Sequence, residues 1–271
     1  MTNTANKPLD WYAERTAYLT EFMSEERRQV LQRTLDSRTR YMTILTENTY
    51  HAQNASALVR HCEAFGVQDI HTIETRCKFN PNVNIVRGTD KWIDLHRHRT
   101  TAEAIADLKG RGYRIVATTP HREDKTPETF DVAASPFVLV FGTEHAGISD
   151  EIVAAADEFL RIPMCGMVES LNVSASAAIL IYMLSSRMRE TVPDWRLTAG
   201  ERAEILYYWT YFGKPTKLLI LRAHTEGLTA IKLSMNNADA GSFVFILADR
   251  LHVRLYDADT KQPVQVKEIF M

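Results

Sequence analysis

Hydrophobic positions recur every three to four residues from Leu9 to about Thr39, through Leu19, Phe22, Met23, Val30, Leu31 and Leu35, and this spacing predicts helix. Ser24 followed by Glu25 and Glu26 marks a helix start inside that stretch. The pattern then changes. Residues 41–48, YMTILTEN, read as a buried strand ending in polar positions, and residues 51–65 as a helix closed by Gly66. A second strand is predicted over residues 67–74, a polar segment around residues 80–84, a helix over 101–109 ended by Gly110, and a third strand over 113–119. FVLVFG, residues 137–142, is too uniformly apolar to have a wet face and reads as a fourth strand. A helix over 149–156, a short strand over 159–163 and a long helix over 170–188 follow. Strands alternating with helices imply a mostly parallel sheet covered on both sides.

Beyond Arg189 the character differs. Residues 198–211 predict a helix dense in aromatics, whereas GSFVFIL and LHVRLYD, after Gly227, read as a strand pair. Three parts are expected: an N-terminal helical extension over residues 1–42, an α/β domain over 43–190, and a C-terminal extension over 191–271.

Composition narrows the class. With 271 residues and 45% hydrophobic positions the chain can fill a substantial core. No run approaches the roughly 18 apolar residues needed to cross a bilayer, and the opening MTNTANKPLDW lacks the apolar centre of a secretory signal, so a cytoplasmic location is expected. Cys62, Cys77 and Cys165 lie far apart without a CxxC pair, which argues against a zinc cage or a disulfide framework. A net charge of −2 announces no nucleic-acid partner globally. Any such surface must be local. Arg27, Arg28, Arg33, Arg38 and Arg40 form one basic group; Arg87, Lys91, Arg97 and Arg99, with His96 and His98, form a second. Each alone reads as a solvated helix face or a polar loop. Alternating His and Arg over 96–99 sets cations beside any metal, so that loop is expected to meet phosphate or solvent rather than a metal.

Three segments carry the candidate chemistry. In NASALVR, Asn54 and Arg60 are six apart and share no face mid-helix; with Asn54 capping the helix, Arg60 would project inward from the second turn. In LVFGTEHAG, an apolar strand ends at Gly142 and is followed by Glu144 and Gly147 before a helix, which places a carboxylate where open α/β sheets bind ligands. In IPMCGMVESLNVSASAA, a strand ends at Pro163, and Ser170-Leu171-Asn172 opens a helix whose first turns carry small residues and whose free N–H groups stabilise negative charge.

In that order and at those intervals the three segments resemble the signature motifs of the SPOUT superfamily, in its SpoU/TrmH branch of RNA ribose 2′-O-methyltransferases, over about residues 43–189. The resemblance implies an α/β-knot fold, with a deep trefoil knot in a mostly parallel sheet flanked by helices, and a homodimer whose sites are completed across the interface. It implies S-adenosylmethionine as cofactor, held by Thr118, Gly142, Ile162, Met164 and Leu171. It assigns Arg60 to help remove the ribose proton, with Asn54, Glu144, Ser170 and Asn172 orienting Arg60, the ribose and a phosphate, and with no metal. Arginine stays protonated, so stabilising the developing alkoxide is as good an account as base catalysis. The implied partner is structured RNA, tRNA before rRNA. A base-methylating relative or a catalytically silent RNA-binding dimer would share the fold. The tail beyond residue 213 departs from the family's habit.

Overall fold

A computed structural model describes residues 7–21, 23–122, 124–143 and 146–212, and the strand residues 218–221, 231–234, 245–247, 250–252, 255–256 and 263–264. The chain forms two compact units, one over Gln29–Ile205 and the other made of residues 1–28 with 206–271.

The helical opening resolves into α1 (Leu9–Thr20) and α2 (Glu25–Asp36). Ser24 Oγ accepts the Arg27 N–H at 3.3 Å, as a capping serine does. There follow β1 (Met42–Glu47), α3 (Ala52–Ala64), β2 (Asp69–Ile73), a one-turn α4 (Val83–Val86), β3 (Asp94–His98), α5 (Thr101–Gly110), β4 (Arg114–Thr118), β5 (Phe137–Phe141), α6 (Asp150–Ala155), β6 (Glu158–Leu160), α7 (Val173–Thr191) and α8 (Ala199–Phe212). Six strands make one sheet in the order β3-β2-β1-β5-β4-β6, every pair parallel. The chain thus builds outward to β3, returns to lay β4 and β5 on the other side of β1, and ends at β6.

Every residue of β1, β2 and β5 is buried, as strands covered on both faces must be. Alternate residues feed two cores. On one face Ile44, Leu139 and Phe141 meet Leu58, Val59 and Cys62 of α3 and Leu180, Leu184 and Met188 of α7. On the other, Leu45, Val138 and Val140 meet Ala104 and Leu108 of α5 and Ile152 of α6. Gly66 closes α3 at φ +76°, and a Cβ there would stand 2.4 Å from the Ser37 carbonyl oxygen, so only glycine fits.

Three expectations are corrected. Residues 94–98 are an edge strand and not a polar loop: His96 and His98 face one side of β3 and Arg97 the other, so the alternation that read as polar is a strand's period of two. Helix α7 starts at Val173 with Asn172 as its cap, three residues later than predicted, because Asn172 Oδ1 takes the Ser174 N–H at 2.8 Å. The cap of α3 is His51, which puts Asn54 at the helix's third residue.

In the other unit, β7 (Leu218–Leu221) pairs antiparallel with β8 (Ile231–Ser234), β9 (Phe245–Leu247) with β10 (Arg250–His252), and β11 (Leu255–Tyr256) with β12 (Pro263–Val264). The strand pair predicted from GSFVFIL and LHVRLYD corresponds to β9 and β10, with β11 drawn from the end of the second segment. On α1, Trp11 and Tyr12 set their rings against Tyr207 of α8, at 5.2 and 5.9 Å between centroids.

Candidate functional site

The carboxyl ends of β4, β5 and β6 open into a cavity of about 460 Å³, within the size range of small-molecule sites. Its floor is apolar, from Phe141, Leu160, Ile162, Val173 and Leu180; its rim is polar, from Thr119, Glu169, Ser170 and Asn172. Local folding sets this shape. Thr118 Oγ1 donates to the Val140 carbonyl at 2.7 Å, so β4 offers its backbone rather than its hydroxyl. The chain leaves β5 through Gly142 and doubles back, with Thr143 N–H donating to the Gly147 carbonyl at 2.8 Å and Gly147 N–H returning to Thr143 at 3.1 Å. Gly142 lies so near this turn that a Cβ would fall 2.1 Å from the Gly147 carbonyl carbon. Glu47, buried at the end of β1, accepts the Ser149 N–H at 3.0 Å and fixes where α6 begins.

All five residues expected to hold a cofactor, Thr118, Gly142, Ile162, Met164 and Leu171, line this one cavity. Of the five expected to act chemically, Ser170 and Asn172 line it as well. Asn54 is buried beside them: Asn172 Nδ2 donates to Asn54 Oδ1 at 3.3 Å, joining the first segment to the third across 118 residues of sequence. Asn172 therefore serves twice, capping α7 through its oxygen and holding Asn54 through its nitrogen.

Arg60 stands elsewhere. It is exposed, does not line the cavity, and donates from Nη1 to the Ile85 carbonyl of α4 at 3.0 Å. The inward projection expected of it fails on helix phase. The core face of α3 carries Ala55, Leu58, Val59 and Cys62, and at about 100° per residue Arg60 falls nearly opposite. Glu144 lies outside the described residues.

Sequence reasoning missed His121, Arg122 and Glu169 on the cavity rim, and Glu47 behind it. The first two directly follow a predicted strand end, the position where open α/β sheets present polar groups to ligands, and that signal was available. Glu47 ends an apolar strand with a charge, which a solvent-exposed strand end would explain equally well.

A parallel α/β sheet with a cleft outside its carboxyl ends and an Asn-capped helix at the rim defines a ligand-binding protein of the open-sheet kind. Comparison narrows it. The model of the SpoU rRNA Methylase family matches residues 41–182. A tRNA (guanosine(18)-2′-O)-methyltransferase of Borreliella burgdorferi is 34% identical over 192 residues, covering 71% of this chain and 88% of that one. The enzyme of the same name from Escherichia coli is 34% identical over 142 residues, which is 52% of this chain and 61% of the relative. The crystal structure of the A. aeolicus TrmH/SpoU tRNA modifying enzyme superposes with a TM-score of 0.61 at 32% identity, over 69% of this chain and 96% of that chain. The chain belongs to the SpoU methylase family, and its sheet is that of the SpoU/TrmH fold.

Proposed function

We propose that this protein transfers a methyl group from S-adenosylmethionine to the ribose 2′-hydroxyl of guanosine 18 in tRNA. The target follows the names of relatives that are 34% identical to it over 192 and 142 aligned residues. Binding of the donor is supported by the gathering of Thr118, Gly142, Ile162, Met164 and Leu171 around one cavity of about 460 Å³, whose apolar floor suits an adenine ring and whose polar rim suits an amino-acid end. When bound, that cofactor supplies an already activated methyl group, so alignment is most of the remaining work.

The chain's own residues divide that work. Asn172 and Asn54, hydrogen-bonded to each other, orient the ribose at the rim beside Ser170. Glu144 is assigned to the same task. Arg60 stabilises the alkoxide that develops on the 2′-oxygen, as a permanent cation can without itself taking a proton. Its outward projection from α3 supports a site completed by a second copy of the chain, so that one protomer's Arg60 serves its partner's cavity. Met167, Val168 and Tyr182 are exposed apolar side chains on the loop before α7 and on α7 itself, and their burial in a homodimer would remove them from water. The return of the chain to place β5 between β1 and β4 supports the knotted path implied by the motifs. Residues 1–42 and 191–271 flank the methyltransferase domain of 43–190, and of these the N-terminal helices and α8 are assigned to gripping RNA. Among the described residues no helix is long and apolar enough to cross a membrane. A cytoplasmic location, where tRNA is modified, fits the proposal.

The observation that carries this reading is the Asn54–Asn172 link at the mouth of a cavity lined by all five expected donor-binding residues. Methyl transfer from labelled S-adenosylmethionine to unmodified tRNA tests it. Incorporation should be lost with 2′-deoxyguanosine at position 18 and with Arg60→Ala. Undiminished incorporation with the deoxy substrate would indicate base methylation, and no incorporation by the wild type would indicate a silent RNA-binding protein.

A further inference from the structure

Away from the cavity, at the β2–β3 edge, three imidazoles stand in a row. His71 stacks on His96 with centroids 4.5 Å apart and an angle of 16° between the rings, and lies 5.3 Å from His98 at 11°. Parallel pairing sets this up: His71 is in register with His96 and Ile73 with His98, so the three side chains rise from one face of the sheet while Arg97 faces the other and pairs with Glu74. Helix α5 covers the row and brings Asp107 over it.

We propose that His71, His98 and Asp107 form a binding site for a divalent transition cation of the zinc type. His71 Nδ1 and His98 Nε2 are 3.0 Å apart, and the Asp107 carboxylate oxygen lies 3.9 Å from the first and 4.0 Å from the second. The circle through three atoms at those separations has a radius of about 2.1 Å, so its centre is a bond length of zinc to imidazole or carboxylate from each donor. Two imidazoles and a carboxylate are a common zinc set, leaving a fourth position for water.

A shared proton between the two rings is the competing account of the 3.0 Å contact. It makes no use of Asp107, whose carboxylate oxygen stands 3.9 and 4.0 Å from the two ring nitrogens, too far for a hydrogen bond to either and at the spacing of ligands that share one ion. A permanent cation, Arg111, stands beside the site. Its Nη2 is spent on Asp69 at 3.3 Å, and its Nη1 stands 3.9 Å from the Asp107 oxygen. The ion would tie α5 to the sheet edge; it has no part in methyl transfer.

The full-length protein, stripped with a chelator and titrated with Zn²⁺ against a chromophoric competitor, should bind one equivalent per chain. Bound Co²⁺ should show the strong visible absorption of a four-coordinate ion. His98→Ala and Asp107→Asn should each weaken Zn²⁺ binding at least tenfold and abolish the rise in Tm that Zn²⁺ gives the wild type, with methyl transfer unchanged. Asp107 is half-exposed, so Asp107→Asn folds even if His98→Ala does not. Failure of the wild type to bind a stoichiometric ion, or equal binding by wild type and Asp107→Asn, overturns the proposal.

Discussion

The two ends of the sheet use polar residues in opposite ways. At the β2–β3 end, Asp69 is fully buried and saturated: Arg40 at 3.2 Å, Arg111 at 3.3 Å and His96 at 3.3 Å all converge on it, and despite burial this company holds its carboxyl down at about 2. Arg40 also reaches Asp94 at 2.7 Å and Glu201 at 3.4 Å. At the β4–β5–β6 end, Ser170, Asn172, Glu169 and His121 sit on the rim of a cavity. One network holds protein to protein, while the other is presented to a ligand. Polarity at the end of a strand is therefore not a functional signal by itself; what distinguishes the two is whether neighbouring side chains have already used it.

That contrast makes substitutions at the two ends separable. Asp69→Ala should have the largest effect, on stability: removing one partner of a buried ionic cluster costs about 3–5 kcal/mol, here nearer the lower figure because Arg40 keeps Asp94 and Glu201. Denaturant unfolding should show the loss, while turnover per folded molecule stays that of the wild type. Arg60→Ala should do the reverse. Losing a charge-stabilising donor costs on the order of 10²–10³ in kcat, whereas an exposed residue bonded to one carbonyl changes stability by only about 0.5 kcal/mol. A fall in stability that matched the fall in kcat would break the distinction. Asn172→Ala lies between, because its amide works for both fold and site. Loss of the cap should cost about 1 kcal/mol. Asn172→Asp keeps the capping oxygen but has no Nδ2 to donate to Asn54, so it should retain most of the stability while lowering kcat as Asn172→Ala does, and single-turnover rates at saturating donor would measure it.

Much of this was legible in the chain. The uniformly apolar run of β5 and the small residues after Asn172 pointed to a covered parallel sheet and a helix opening beside a loop, and the residues expected around the donor do share one cavity. Three things were not readable. His96-Arg97-His98-Arg99 spells a loop to any hydropathy scale, because the buried face of β3 carries imidazoles rather than aliphatics and is sustained by Asp69 and Asp107 from other elements. Arg60 was misplaced because the true cap of α3, His51, makes no side-chain capping bond for a sequence signal to mark, and Asn54 stood in for it. The double duty of Asn172 depends on a residue 118 positions away, which no local pattern reports.

The smallest effect tests the same contrast at the level of a single atom type. Cys62 is fully buried between α3 and the sheet, and burial raises its thiol well above the ordinary range despite nearby Arg38. Cys165 is exposed on the loop that follows Ile162 and precedes Asn172, next to the cavity-lining Met164. Thiolate is the reactive form, so a maleimide should label Cys165 within minutes and Cys62 only on global unfolding. Saturating S-adenosylmethionine should slow labelling at Cys165 by a few-fold, because filling the cavity beside Met164 restrains the loop, and should leave Cys62 as it was. Peptide mapping of the labelled protein reads both sites at once. Equal protection of the two cysteines would mean that the donor stabilises the whole fold rather than ordering this rim, and protection of neither would place the donor away from the loop.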